Sequence, residues 1–395
     1  AHFVLEGTLL DKKNGVPIVY ATVGVEGTSI GSITNQAGEF RLHLADSLRR
    51  KSLVFSHVGY VAQKIDIPLL TAGQHFTLTL EPRIFPLQEV VIRVVHPIRL
   101  MREMLEKRMI NYSQKPVYFT TFYREGVQYK QKFRSLTEAV FKIYKSPVQS
   151  LYAREQVKLL KMSRITDGLE QDTLIARMSG GIDACLQLDI INHLPDFLLA
   201  DAHKDVYAYT SADVTIVGDH LVNVISFEQK KEVKEPLYCG ELYIDSDNGA
   251  LLQAQIRIHP RYMKQATDMV VQRQARRMKI VLQELTYTIS YKPWNGTYYI
   301  NHVRGDLHFK VKQKRQWLGS SSLHTWFEMV TCKIDTVGVT RFQRNERIPT
   351  RTVFADTHFK YDSDFWENFN VIPWEKQLVE VIEQLTSKIE KIEYE

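Results

Sequence analysis

The chain has 395 residues, 44% hydrophobic and 11% aromatic, with 51 basic against 45 acidic side chains and a net charge of +6. That length calls for two or three domains, and that composition excludes a disordered chain. So mild a charge does not mark a nucleic-acid binder, and no apolar run approaches the roughly eighteen residues of a membrane helix.

Nineteen Tyr, eighteen Phe and heavy Val/Ile use favour β-structure. From His2 to about Arg93, short strand-like runs alternate with turns: "HFVLEGTLLD", "ATVGVEG", "GSITN", "GEFRLHL", "KSLVFSHVGYVAQKIDI", "HFTLTLEPR" and "QEVVIRVV". This spacing, with Gly-bearing turns, predicts a seven-stranded-type, Ig-like β-sandwich over residues 1–94. In "HFTLTL", Phe76, Leu78 and Leu80 alternate with Thr77 and Thr79, so one face meets a core and the other meets water. The phrase "GTSIGSITNQAGEF" is explained by backbone demands. Gly27, Gly31 and Gly38 serve tight connections, Asn35 suits a turn, and Phe40 returns the chain to the core. It reads as a corner of the sandwich, not as a site.

Pro97 opens a different texture. In "PIRLMREMLEKRMINY", Ile98, Met101, Leu105 and Met109 fall at helical spacing between charges, which predicts an amphipathic connecting helix within 95–116. Longer strands fill residues 117–362, with hairpins predicted at Gly218-Asp219, at Asp245–Gly249 and at Pro293-Trp294-Asn295-Gly296. Consecutive hairpins make a meander, so this region is expected to be one large antiparallel, half-barrel-like domain. A helical or irregular insertion near 167–209 is expected to cover one face. Arg261 to Lys279 is basic and reads as a loop or short helix. In the C-terminal segment, 363–395, Leu378, Val381, Ile382 and Leu385 repeat at helical spacing after Pro373, predicting a terminal helix.

The sequence holds no Walker loop, HExxH or dinucleotide fingerprint, and no catalytic, cofactor-binding or metal-ligating residue is assigned. "DSDNG" at Asp245 to Gly249 resembles the opening of a calcium loop, but apolar "ALLQAQI" follows where the closing acid belongs, so a hairpin turn is the expectation. His302 and His308 share a strand face but stand roughly twenty ångströms apart, too far for one metal. Cys185, Cys239 and Cys332 are odd in number, distant, and without a CxxC spacing; they read as three buried thiols, with one long-range disulfide plus a free thiol as the alternative. The run "RYMKQATDMVVQRQARRMK" offers only Tyr262 for base stacking, so it reads as a solvated surface, with contact to lipid phosphates or an acidic partner as the alternative. Rings in "YFTTFY", "TYTISY", "TYYI" and "HTWF" either pack a core or line a concave apolar cavity for an acyl chain or a partner's helix.

Residues Gly7 to Asp11, Ala21 to Thr28, Gly31 to Phe40 and Leu53 to Tyr60 carry a recurrent pattern: G-x-V-x-D, A-x-V-x-V-x-G-T, G-x-x-T-D-x-x-G-x-F and L-x-F-S-x-x-G-Y. Leu9 replaces the usual Val and Asn35 the usual Asp. With these motifs the first ninety residues closely resemble the carboxypeptidase-like regulatory domain of Bacteroidota envelope proteins. The resemblance implies a transthyretin-like fold and an exported chain. The same module precedes the plug of many TonB-dependent transporters, but no plug or long barrel follows here. Zinc peptidase chemistry is not implied, because no His-x-x-Glu pair occurs. "FYRE", "EAVFKIYK" and "DFWENFNVIPWE" are similar to the long uncharacterised partners of this module, and the meander is similar to the half-barrels of periplasmic lipoprotein carriers. The start at Ala1 reads as a chain whose signal peptide has been removed, though a trimmed chain would look the same.

The expectation is therefore a non-enzymatic cell-envelope protein, periplasmic or outer-membrane associated, with no cofactor. It would be an accessory or adaptor subunit of an outer-membrane complex, partnered by outer-membrane proteins such as a large barrel, with lipid contact possible and no nucleic acid. The alternative is a periplasmic carrier or sensor that binds a lipid or acyl chain in a half-barrel cavity.

Overall fold

Strict alternation of apolar and polar residues makes the first sheet pair. Strands β1 (His2–Asp11), β2 (Thr22–Val25), β3 (Gly31–Ile33), β4 (Glu39–Ala45), β5 (Ser52–Ser56), β6 (Gln63–Asp66) and β7 (His75–Leu80) form sheets ordered β4-β1-β7 and β3-β2-β5-β6. Phe3, Leu5 and Leu9 of β1 point inward onto Val23, Phe40, Leu42, Leu53 and Phe55, closing a sandwich core of its own. The computed structural model describes residues 1–85, 96–148, 155–166, 176–178, 181–199, 201–274, 277–315, 317–350, 369–376 and 378–383. The strand expected at "QEVVIRVV" lies outside them, as does the start of "DFWENFNVIPWE".

The connecting helix is present but turned and shorter than expected. Helix α1 (Pro97–Glu106) stops at Lys107, and α2 (Arg108–Asn111) follows. Leu100, Met101 and Met104 are the buried face, while Met109 is 39% exposed. The break at Lys107 ends the periodic register, which carries Met109 away from the stripe that Met101 begins.

Strands β8 (Val117–Tyr129), β9 (Lys132–Lys145), β10 (Gln156–Thr166), β11 (Ala176–Met178), β12 (Tyr207–Val217), β13 (His220–Gln229), β14 (Tyr238–Asp245), β15 (Leu251–Ile258), β16 (Val271–Gln274), β17 (Met278–Trp294), β18 (Thr297–Gln313) and β19 (Ser321–Asp335) build the rest. Ten of them form one antiparallel sheet ordered β10-β9-β8-β19-β18-β17-β15-β14-β13-β12, while β11 and β16 pair apart. The three expected hairpins form; at the last, Asn295 and Gly296 take φ of +51° and +75° and join Trp294 to Thr297. A simple meander is not what results. β8 lies against β19 along most of its length, so the first hairpin joins beyond the last strand.

One face of this sheet is apolar and covered by the chain itself. Phe119, Tyr123, Phe141 and Phe227 share a cluster with Leu100 and Met104 of α1, Ile182 and Cys185 of α3 (Ile182–Gln187), and Phe197. Phe197 stacks on Phe227 at 4.2 Å. The insertion continues through α4 (Ala202–Asp205) and is anchored by charge: Lys145 Nζ lies 2.6 Å from Asp189 Oδ2 and 3.0 Å from Glu155 Oε1. The Tyr291 hydroxyl donates to Asp189 at 2.8 Å, and His193 Nε2 lies 2.8 Å from Glu155.

The basic segment is ordered as a 3-10 turn (Pro260–Ala266), helix α5 (Thr267–Val270) and β16. A terminal helix, α6, runs over 376–383, residue 377 lying outside the described set. Leu378 and Ile382 pack with Leu136, Ile165 and Trp326; Leu385 lies outside the described residues. All three cysteines are free thiols. Cys185 and Cys332 are buried, but Cys239 is only half-buried, because it sits on β14 away from the main core.

Candidate functional site

The opposite face of the sheet is charged. Strand alternation that sends Tyr123 to the core sends Arg124 outward, and the antiparallel register sets Glu138, Arg124, Glu328 and Arg304 side by side across β9, β8, β19 and β18. Charges alternate along the row, and each residue is no more than 6% exposed. Arg124 Nη2 donates to Glu138 Oε2 at 3.1 Å, and Arg304 Nη1 lies 3.2 Å from Glu328 Oε1. Arg304 also grips Asp306 with two bonds of 2.8 and 3.0 Å. His302 Nε2 lies 3.2 Å from Glu328, and His324 Nε2 lies 3.1 Å from Asp306. His302 and His308 do share a face, but His308 stacks on His324 at 4.0 Å and has no part in the His302 contact.

Burial alone would raise Glu328, but Arg304, His302 and Arg124 outweigh it and hold its carboxyl at about 2. At Asp306, His324 and Arg304 likewise overcome burial and hold the carboxyl low. Glu138 differs. Its burial prevails over the pull of Arg124, so its pKa is raised.

Three parts of the chain close over this row. Arg124 donates to the carbonyl of Ile372, and Trp374 Nε1 donates to Glu138 Oε1 at 2.9 Å, pinning the C-terminal segment. The sandwich arrives through its β2–β4 corner. Ser29 Oγ bonds both backbone groups of Ile334, Asn35 Nδ2 donates to Pro373 O at 3.0 Å, and the Tyr20 ring lies 4.9 Å from that of His302. Ile33, Phe122, Val330, Cys332, Val371 and Ile372 form the apolar seam between them. The stretch expected to be only a sandwich corner is therefore the docking surface between the two β units and the C-terminal segment. Its Ser and Asn residues serve turns and interfaces with the same hydrogen bonds, which is why the sequence did not distinguish the two.

Two cavities flank the seam. One of about 430 Å³ lies over the charged row, where Gln36 of the sandwich, Arg124, Arg304 and Trp326 of the sheet, and Leu378 of α6 meet. Gly126 lets the Trp326 ring lie against β8, since a Cβ there would fall 2.1 Å from that ring. The other, about 390 Å³, runs between β2 and β17 and is bordered by His57, Lys292 and Trp294. Lys292 Nζ donates to Thr331 O at 2.9 Å, and burial lowers its pKa to about 8, opposed by Cys332. No ligand-contacting residue is legible in the sequence, because Arg124 and Glu328 lie about two hundred positions apart and meet only through the β8–β19 pairing.

Residues 5–92 match the family model described as CarboxypepD_reg-like domain. The sandwich is a CarboxypepD_reg-like domain. The corner by which this CarboxypepD_reg-like domain docks lies inside the matched residues. No curated protein matches the chain. Among solved structures, it is similar to a domain described as an outer membrane lipoprotein-sorting protein from Vibrio parahaemolyticus, at 10% identity, covering 63% of this chain and 94% of that one, with a TM-score of 0.26. It is also similar to a LolA superfamily protein from Nitrosomonas europaea, at 9% identity over 62% of this chain and 96% of that one, TM-score 0.23. A membrane-associated protein of unknown function from Bacteroides fragilis is similar at 10% identity over 85% and 99%, TM-score 0.15. No helix among the described residues is long and apolar enough to cross a membrane, which says nothing of β-barrels.

Proposed function

We propose that this chain is a non-enzymatic, exported envelope protein that serves as an accessory or adaptor subunit of an outer-membrane protein complex. The observation that carries the reading is the rim of the large sheet. β12 is one of its two edge strands, and Thr210, Ser211, Ala212 and Asp213 are exposed along it. An exposed edge presents backbone donors and acceptors to a partner strand. The apolar face, by contrast, is filled by the chain's own helices and rings. A photo-reactive residue at Ser211, introduced in native cells, should cross-link to one outer-membrane protein that also co-purifies stoichiometrically. A monomeric, uncross-linked chain would sink the adaptor reading.

The second reading is a lipid or acyl-chain carrier. It is favoured by the cover of that apolar face, which is a largely helical insertion held by the Lys145–Asp189 contact and by the short β11–β16 pairing, not by a second large sheet. Native mass spectrometry that finds a retained lipid would favour it over the adaptor.

A further inference from the structure

The turn at Asp245–Gly249 gains a neighbour in the fold that its sequence does not contain. β13 pairs with β14 so that Val222 faces Asp245, and the Ser246 amide donates to Leu221 O at 2.9 Å. This brings His220, the first residue of β13, over the turn. His220 Nδ1 lies 2.9 Å from Asp245 Oδ2 and 3.7 Å from Asp247 Oδ2, and the three atoms lie within 4.8 Å of one another.

Asp245 is only 1% exposed. Its Oδ1 accepts from the Asp247 amide at 2.8 Å, but its buried Oδ2 accepts no hydrogen bond, the His220 ring not being aligned to donate to it. A buried carboxylate oxygen without a donor is costly, and a bound cation removes that cost. Ligands about 2.0–2.2 Å from one ion stand roughly 2.8–3.6 Å apart at octahedral or tetrahedral angles; the His220–Asp245 pair at 2.9 Å already meets this, and the exposed Asp247 carboxylate, 3.7 Å from His220, has only to close in.

We propose that His220, Asp245 and Asp247 form a site for a first-row divalent cation of the zinc class. An imidazole nitrogen beside two carboxylates suits such an ion, whereas calcium takes oxygen ligands throughout. His220 and Asp247 are 49% and 75% exposed at their side chains, so water or a partner's carboxylate completes the shell. The ion would clip β13 to a turn on which other elements already converge. Asn111 of α2 donates to Asn248 O at 3.0 Å, and Asn248 Nδ2 donates to the Tyr298 hydroxyl at 3.0 Å.

The test uses the full chain, stripped with chelator and titrated with Zn²⁺ by calorimetry, with Tm read in parallel and Ca²⁺ as control. One equivalent of Zn²⁺ should bind and raise Tm, while Ca²⁺ does neither. Asp245→Asn alters a buried turn, so the exposed His220→Ala and Asp247→Asn carry the test. Each should keep the metal-free Tm and weaken Zn²⁺ binding by about tenfold or more. Binding unchanged in both variants, no Zn²⁺ binding at all, or preference for Ca²⁺ would each overturn the proposal.

Discussion

The Ser29 hydroxyl donates to the carbonyl of Ile334 at 3.0 Å and accepts from the same residue's amide at 2.9 Å. The β18–β19 ladder ends at His302 and Val330, while β8 continues along β19 to Asp335. Ile334 therefore has one side without a strand, and a serine from the sandwich takes the strand's place.

Ser29→Ala strands two buried backbone groups and should cost about 1–3 kcal/mol. Urea denaturation measures it. A loss below about 0.5 kcal/mol, the size of a neutral surface change, would show that the hydroxyl does not hold the seam.

Arg124 stands between two buried carboxylates. Arg124→Met leaves Glu138 and Glu328 facing each other's charge and should lower stability by about 3–5 kcal/mol. The double variant Arg124→Met/Glu138→Gln should recover part of this in a denaturation cycle. Additive losses would mean the two residues do not act together.

Glu328 and Glu138 should answer acid in opposite ways. The folded value of Glu328 is depressed, so its contribution is present above the ordinary value near 4.5 and is lost as pH falls toward about 2, about 3 kcal/mol in all. Glu138 is raised by burial, so protonation in the fold relieves a penalty, and stability gains as pH falls through its folded value. Glu328→Gln should flatten the acid limb of the stability profile. Glu138→Gln, which keeps an acceptor for Trp374, should leave that limb in place. Matching profiles for the two variants would contradict this assignment.

Lys292 has a depressed folded value, near 8, so the unfolded chain binds its proton more tightly and wild-type stability rises between about pH 8 and the ordinary lysine value of 10.5. Lys292→Met should add about 1–3 kcal/mol at pH 7, an advantage that closes by pH 10.5. A destabilised variant at pH 7 would show that the bond to Thr331 O outweighs the cost of burying the charge.

Burial raises all three thiols, Cys332 to about 11. With Cys239 half-buried and the others enclosed, a disulfide reagent should titrate Cys239 first in the native chain and all three in denaturant. Equal rates at neutral pH would refute that order.

Local signals were legible where a residue type has one geometric use. Asn295-Gly296 announces its turn, and Phe76, Leu78 and Leu80 announce a face. The β8–β9 turn was missed because Lys130 and Gln131 hold φ of +53° and +63° without the Gly or Asn that usually marks such a turn. The interdomain site was missed for a different reason. Arg124, Glu328 and Trp374 come together through strand order and docking, and no window of sequence spans them. Met109 failed on local grounds, since nothing in the periodicity marks the break at Lys107.

The position of β19 sets the order in which this protein can fold. The last strand of the sheet in the sequence is the fourth in its spatial order, between β8 and β18. Until it emerges, the β8–β10 hairpins have nothing to join, and two strand edges lie open in its place. Such late, distant pairing makes for slow assembly and exposed intermediates. The sandwich needs Ile334 and the C-terminal segment to seat, so it too waits on the final quarter of the chain. A truncation before Ser321 would remove the keystone of the sheet and should leave a chain that aggregates instead of forming a smaller protein.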